Sequence, residues 1–227
     1  MPSFTPADID AIRLSAKVAL AATLVSLPFG VAVAYVMSYL SFRGKTFVEA
    51  LLNLPLTLPP VVIGYLLLLL LGKKGWLGGV LDAAGIRIIF TWYAAALASA
   101  VVGFPLLVRS IRIAMESIDA PLIQASRTLG ARWYDTLATV ILPLSLRGIV
   151  AGSSLMFGRS LGEFGATIIV AGNIPGVTQT IPLAIYDYAS SPGGEQAAFT
   201  LCLVSAGLSL VVLFFHEYLG SRMGRRD

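Results

Sequence analysis

The chain has 227 residues, of which 57% are hydrophobic and only 12% charged, with a formal net charge of +4. A soluble domain carries about 25% charged residues, so these polar side chains cannot cover a water-soluble globule, and the mean hydropathy of +0.85 marks an integral membrane protein. One cysteine, Cys202, excludes an internal disulfide and a cysteine-based metal site. The one histidine, His216, stands at the end of the last apolar run, an interfacial position rather than a ligand.

Residues 1–12 read as a short polar lead-in, acidic before it is basic and without a small-residue cleavage site, so the first apolar run is a retained span. That run, Val18 to Phe42, is uncharged for 25 residues, enough for one tilted helix, with Pro28 and Gly30 as points of kinking. A basic connection, Arg43-Gly44-Lys45, leads to Ala50–Gly72, whose Pro55, Pro59, Pro60 and Gly64 predict a broken span buried against partners. Lys73 to Arg87 reads as a Gly-rich loop and Ile88–Val108 as the third span. After Arg147 the chain is apolar to about Ala171, interrupted only by Arg159 and Glu163. Residues 172–196 are polar and Gly/Pro-rich around a short apolar piece, Ile181 to Tyr188, expected to be re-entrant or interfacial. Ala197–Phe215 is the last span.

Between the third and fourth spans lies the longest charge-bearing amphipathic stretch, Ile118 to Pro143. Asp119 is placed to cap a helix that Pro121 helps to start, and Gly130 to end it in a left-handed turn. A second short helix from Ala131 is expected to be interrupted by Pro143. Two short helices about a glycine elbow, carrying Leu122, Ile123, Leu129 and Trp133, suit docking into a groove of another protein. An ordinary amphipathic interfacial helix is the other reading.

The expected fold is thus all-α, a single polytopic domain over 1–227 with five spans and a minority reading of six. Charge orients it. If the 118–142 loop is cytoplasmic, the inner segments hold Arg43, Lys45, Arg109, Arg112, Arg127, Arg132, Arg147, Arg222, Arg225 and Arg226. The outer ones hold Arg13, Lys17, Lys73, Lys74 and Arg87. That asymmetry satisfies the positive-inside tendency and puts the N-terminus outside; six spans would put it inside.

Gly44-Lys45-Thr46 matches the end of a phosphate-binding loop, but the first glycine would fall on Tyr39 and the preceding segment is a membrane span. The chain is therefore expected to have no ATP site, no catalytic residue and no cofactor. Arg159 and Glu163, at i and i+4, are costly in a bilayer unless paired, and at this spacing they can pair with each other. A lock between helices is preferred to contact of Arg159 with a passing anion, because a strong cation would hold an anion too tightly to release it. Thr57, Pro59, Pro60, Ser99, Ser160 and Thr167 are candidates to line or gate a path. Asn173, Pro175, Thr178 and Gln179 read as an external loop, suited to a docking partner or an outer gate.

Gln124-Ala125-Ser126, three residues, Gly130, nine residues, then Val140-Ile141-Leu142-Pro143 resembles the EAA loop of bacterial ABC importer permeases (MetI-like fold), with Gln for Glu, Ser for the second Ala and Val for Ile. The resemblance implies that Gln124, Ala125, Ser126, Leu129 and Gly130 couple the chain to an ATPase. Leu54–Leu67, Leu161–Ala166 and Ala171–Tyr186 are similar to the molybdate permease family, and the Gly-Glu-Phe-Gly-Ala and Gly-Asn patterns also to sulfate/thiosulfate permeases. The resemblance implies a homodimer in a bacterial inner membrane, two cytoplasmic ATP-binding subunits, an external molybdate-binding protein and no nucleic acid. Tungstate is a second expected cargo. A channel or secondary transporter would have no use for the coupling loop and would usually show internal repeats. A membrane enzyme would need paired carboxylates, a His cluster or a nucleophile–base pair, none of which stands out.

Overall fold

The computed structural model describes the backbone of residues 5–224 and the side chains of 5–218; these residues form helices and no strand. Met1 to Phe4 of the lead-in, Arg225, Arg226 and the side chain of Arg222 lie outside the described residues.

The first helix, α1, runs from Pro6 to Tyr39, twelve residues earlier than the apolar run alone indicated. Its start is dictated locally. Thr5 Oγ1 accepts the Asp8 N–H, Asp8 accepts the Thr5 N–H, and Pro6 occupies the first helical position. Pro28 lies inside the helix without ending it.

The predicted second span is two helices, α2 (Lys45–Thr57) and α3 (Pro60–Leu71), whose axes turn by 112° at the Leu58–Pro59 break. The Gly-rich loop contains a helix, α4 (Trp76–Ala83). The third span, α5, covers Trp92–Glu116, so Ile88–Phe90 precede it and two further turns extend beyond Val108. In the loop region, α6 (Ala120–Thr128) and α7 (Trp133–Thr136) are followed by a π-helical turn at Leu137–Ile141 and a last helical turn, α8 (Leu142–Leu144). Pro143 does not interrupt this run. The π turn has already displaced the backbone ladder by one residue, with the Leu142 N–H on Leu137 O, and the proline falls in the next first turn, where its missing N–H costs least. The break comes at Ser145, with a 67° bend into α9 (Leu146–Leu161). After a second break at Gly162–Phe164 come α10 (Gly165–Ala171), α11 (Ile181–Ala189) and α12 (Glu195–Gly224).

Among the described residues, helices α1, α5 and α12 are long and apolar enough to cross a membrane singly, and the number rises to five where each of the two bent pairs counts as one span. Small residues set how closely they pack. Gly103 lies against Met156, Gly152 against Leu107 and Gly148 against Ala114, which fixes the antiparallel register of α5 and α9. Long-range hydrogen bonds sort the ends. Ser15 accepts the Ile181 N–H at 2.7 Å and Tyr188 donates to Asp8 at 2.9 Å, so the start of α1 lies beside α11. At the opposite end the Tyr39 hydroxyl donates to Met115 O at 2.7 Å, beside the 118–142 loop.

A second close crossing joins α3 to α10. A Cβ built on Gly64 would stand 2.7 Å from Ala166 O and 2.8 Å from its Cα, both backbone atoms that cannot swing aside. Gly64→Val is therefore expected to push the two helices apart at a cost of about 1–3 kcal/mol. The check is a lower thermal unfolding midpoint of the purified protein in detergent, with Gly207→Val, at a position with open space around it, unchanged.

Candidate functional site

The α3–α10 crossing brings together two stretches that are a hundred residues apart. Pro60 and Val61, at the start of α3, face Gly165 at the start of α10, with an ideal Cβ on Gly165 only 3.0 Å from Pro60 Cβ and 3.2 Å from the Val61 nitrogen. Two interrupted helices thus begin side by side within one bundle.

Arg159 and Glu163 hold the second interruption. They are not on one continuous helix face. Arg159 lies in the last turn of α9, Gly162 ends that helix, and Glu163 lies in the break beyond it. They nevertheless pair, with Nη1 to Oε2 at 2.7 Å, while Glu163 Oε1 accepts the Ala166 N–H at 2.9 Å. The arrangement suits both helix ends. The guanidinium sits where α9 leaves unpaired carbonyls, and the carboxylate where α10 leaves unpaired N–H groups. Glu163 has only 1% of its side chain exposed and Arg159 33%, so the acid is the group that depends on its partner.

The predicted lining residues divide. Thr57 and Pro59 are on the surface of the chain and Pro60 half-buried, with the Thr57 hydroxyl donating to Leu54 O at 2.9 Å. Ser99, Ser160 and Thr167 are buried inside the single chain, and none of their hydroxyls has a hydrogen-bond partner. The α5–α9 register brings Ser99 to the level of Ser160. These three face the interior of the bundle and not its outer surface.

The Phe164–Tyr186 pair, ring centroids 5.3 Å apart, is absent from the sequence-based candidates. It ties the break before α10 to α11. Both rings fall in stretches already singled out for their resemblance, which was the available signal.

The 172–180 turn is only partly external. Ile174 to Val177 form an exposed tip that includes Pro175, and Asn173 is half-buried. Thr178 and Gln179 are buried, correcting their reading as an external surface. Thr178 Oγ1 accepts the Ile174 N–H at 3.0 Å and so closes the turn, and Gln179 reaches Asp187 at 3.4 Å.

At the other end, α6 has no buried residue. Asp119 occupies its N-cap position but makes no side-chain capping bond. Gly130 has φ +88°. Around it the Ala131 N–H bonds to Ser126 O and the Gly130 N–H to Arg127 O, the pair of bonds that closes a helix through a left-handed glycine. Ser126 Oγ stands 3.1 Å from Thr136 Oγ1, linking α6 to α7 across the elbow. Gln124, Ala125, Leu129 and Gly130 are exposed, with Leu129 at 88% and Trp133 at 61%. Large apolar side chains thus stand exposed on both sides of the elbow.

An ion-pair cluster at this end was also missed. Arg112 of α5 pairs with Glu49 of α2, and with Glu116 at 2.6 Å. The first partner is 63 residues away, beyond the reach of local spacing.

Residues 26–225 match the family model for the binding-protein-dependent transport system inner membrane component. The chain is 49% identical over 216 residues to the molybdenum transport system permease protein ModB of Escherichia coli K12, covering 95% of this chain and 94% of that one. It is 36% identical over 218 residues to the sulfate transport system permease protein CysW of Synechococcus elongatus, covering 96% and 76%. Its backbone is similar to a chain of a bacterial alginate ABC transporter, crystallised with an alginate pentasaccharide-bound periplasmic protein. There the TM-score is 0.75 at 17% identity, covering 97% of this chain and 81% of that one.

Proposed function

This chain belongs to the family of binding-protein-dependent transport system inner membrane components, and from that premise we propose that it is the molybdate permease subunit of an ATP-binding-cassette importer. The observation that carries this reading is the near-full-length likeness, at 49%, to a molybdenum permease, against 36% to a sulfate one. The chain is a multi-pass inner-membrane component, the membrane subunit that works with a separate ATPase and a substrate-binding protein.

Each part of the site has a role in that reading. ATPase subunits dock on α6 and α7 through Leu122, Leu129 and Trp133, with Gln124, Ala125, Ser126 and Gly130 setting the shape they meet. Two copies of the chain enclose the path, since five spans are too few to surround one alone. Closure of the ATPases on nucleotide draws the two α6 elbows together, and the spans rock between inward-open and outward-open states. The Arg159 charge is already taken by Glu163, so it does not trap a passing anion. The exposed tip at Ile174–Val177, with Asn173, meets the binding protein outside.

The test is ATPase activity of the complex reconstituted with its ATPase and binding protein, titrated with molybdate, tungstate and sulfate. Stimulation by molybdate and tungstate but not sulfate is expected. Stimulation by sulfate alone would make this a sulfate permease, and failure to form a complex with any ATPase would remove the importer reading.

A further inference from the structure

At the end of α5 nearest the 118–142 loop, α1, α2 and α5 enclose a cleft of about 430 Å³. Its lining is part apolar, from Met37, Leu52 and Val108, and part charged, from Glu49, Arg109, Arg112 and Glu116. Arg112 is shared between the two carboxylates, whereas the exposed Arg109 has no ion pair or hydrogen bond among the described residues. Two guanidiniums and two carboxylates cancel, so the cleft has no net charge with which to hold a free dianion. It is instead a dipole, with an unpaired cation on one side and an acid-rich triad on the other.

Depth says what such a dipole meets. Arg109 follows Trp92 by 17 residues of one helix, about 26 Å at 1.5 Å per residue, and Arg112 by about 30 Å, the thickness of the hydrocarbon core. Trp92 marks the other boundary, stacked with Tyr93 and with Lys17 Nζ 3.8 Å above its ring. At that depth the cleft lies at headgroup level, with Met37, Leu52 and Val108 as its apolar lining. Helix α2, which forms one side of it, buries no residue of its own, and its Glu49 pairs with Arg112 of α5.

We propose that this cleft binds the headgroup of a phospholipid carrying both a phosphate and a primary ammonium. The phosphate lies on Arg109, the ammonium on the carboxylates of Glu49 and Glu116, and the first acyl carbons lie against Met37, Leu52 and Val108. Neutrality of the cleft selects a zwitterion over an anionic lipid. Three hydrogen-bond donors on the ammonium select it over a quaternary choline. A free oxyanion would leave the apolar lining unused. The proposal does not depend on which oxyanion is carried.

The experiment is native mass spectrometry of the purified full chain, with phosphatidylethanolamine, phosphatidylglycerol and phosphatidylcholine of identical acyl chains, each with and without sodium molybdate. Retention of phosphatidylethanolamine about tenfold over phosphatidylcholine is expected, a ratio in keeping with charge-assisted hydrogen bonds. Arg109→Gln should lose that preference while its unfolding midpoint in lipid-free detergent stays at the wild-type value, because Arg109 has no partner to abandon. Equal retention of the three lipids, or phosphatidylglycerol matching phosphatidylethanolamine, overturns the proposal. Displacement of the lipid by molybdate also overturns it, and assigns the cleft to the cargo.

Discussion

Gly130→Val is expected to reduce transport at least about tenfold while leaving expression, folding and assembly near wild type. The glycine has φ +88° with nothing within 4 Å of an added Cβ, so the penalty is conformational and not a clash. A left-handed backbone costs an L-residue roughly 1–2 kcal/mol, and a β-branched one tolerates it least. The elbow escapes that cost by changing φ. It then gives up the Ala131–Ser126 and Gly130–Arg127 bonds and swings α7, with Trp133, away from Leu129. The bundle does not depend on this, since α6 buries nothing; what changes is the shape of the docking surface proposed above. Gly130→Asn, whose side chain accepts left-handed geometry, should retain most of the activity. The measurement is substrate-stimulated ATPase activity and uptake in vesicles, alongside recovery of the intact complex. Normal uptake by the valine variant would remove the elbow from the coupling mechanism.

The second large effect concerns Arg159 and Glu163, whose burial differs. Spacing alone predicts that a single change strands the partner's charge. In the fold the arginine is one-third exposed and the glutamate almost wholly buried, so the arginine can turn toward a more polar surface and the carboxylate cannot. Arg159→Ala should therefore be the more damaging single change, at about 3 kcal/mol for a stranded buried charge. Glu163→Ala should cost about 1–2 kcal/mol, mostly for the Ala166 N–H that loses its acceptor. The double variant should fall near the second figure. Thermal unfolding midpoints of the three proteins in the same detergent decide it. A double variant as unstable as Arg159→Ala would mean that charge is not what holds the break between α9 and α10.

Much of the loop was legible in the sequence because its signals are local. The register from Gln124 to Pro143, the left-handed glycine and the pairing of Arg159 with Glu163 each depend on residues a few positions apart. The early start of α1 was legible too, in Thr5, Pro6 and Asp8, but the hydropathy run masked the capping signal. By contrast, the burial of Thr178 and Gln179 was hidden. A polar, uncharged turn reads as surface unless one knows that its own side chains close it and that Ser15, more than 160 residues earlier, accepts the Ile181 N–H. The Glu49–Arg112–Glu116 cluster was hidden for the same reason.

By itself the sequence determined that the chain lives in a bilayer, that its second apolar run is broken at the proline pair, and that the 118–143 loop turns at Gly130. Those properties follow from hydropathy summed over 20-residue windows and from proline, glycine and capping side chains acting on the adjacent backbone. The tertiary structure alone decided which faces meet. In a membrane both the lipid-facing and the buried sides of a helix are apolar, so the periodicity that marks the inward face of a soluble helix is weak. Contact at Gly64 on Ala166 and at Gly165 on Pro60 is set by close backbone approach between segments a hundred residues apart. That approach is what places two helix breaks together.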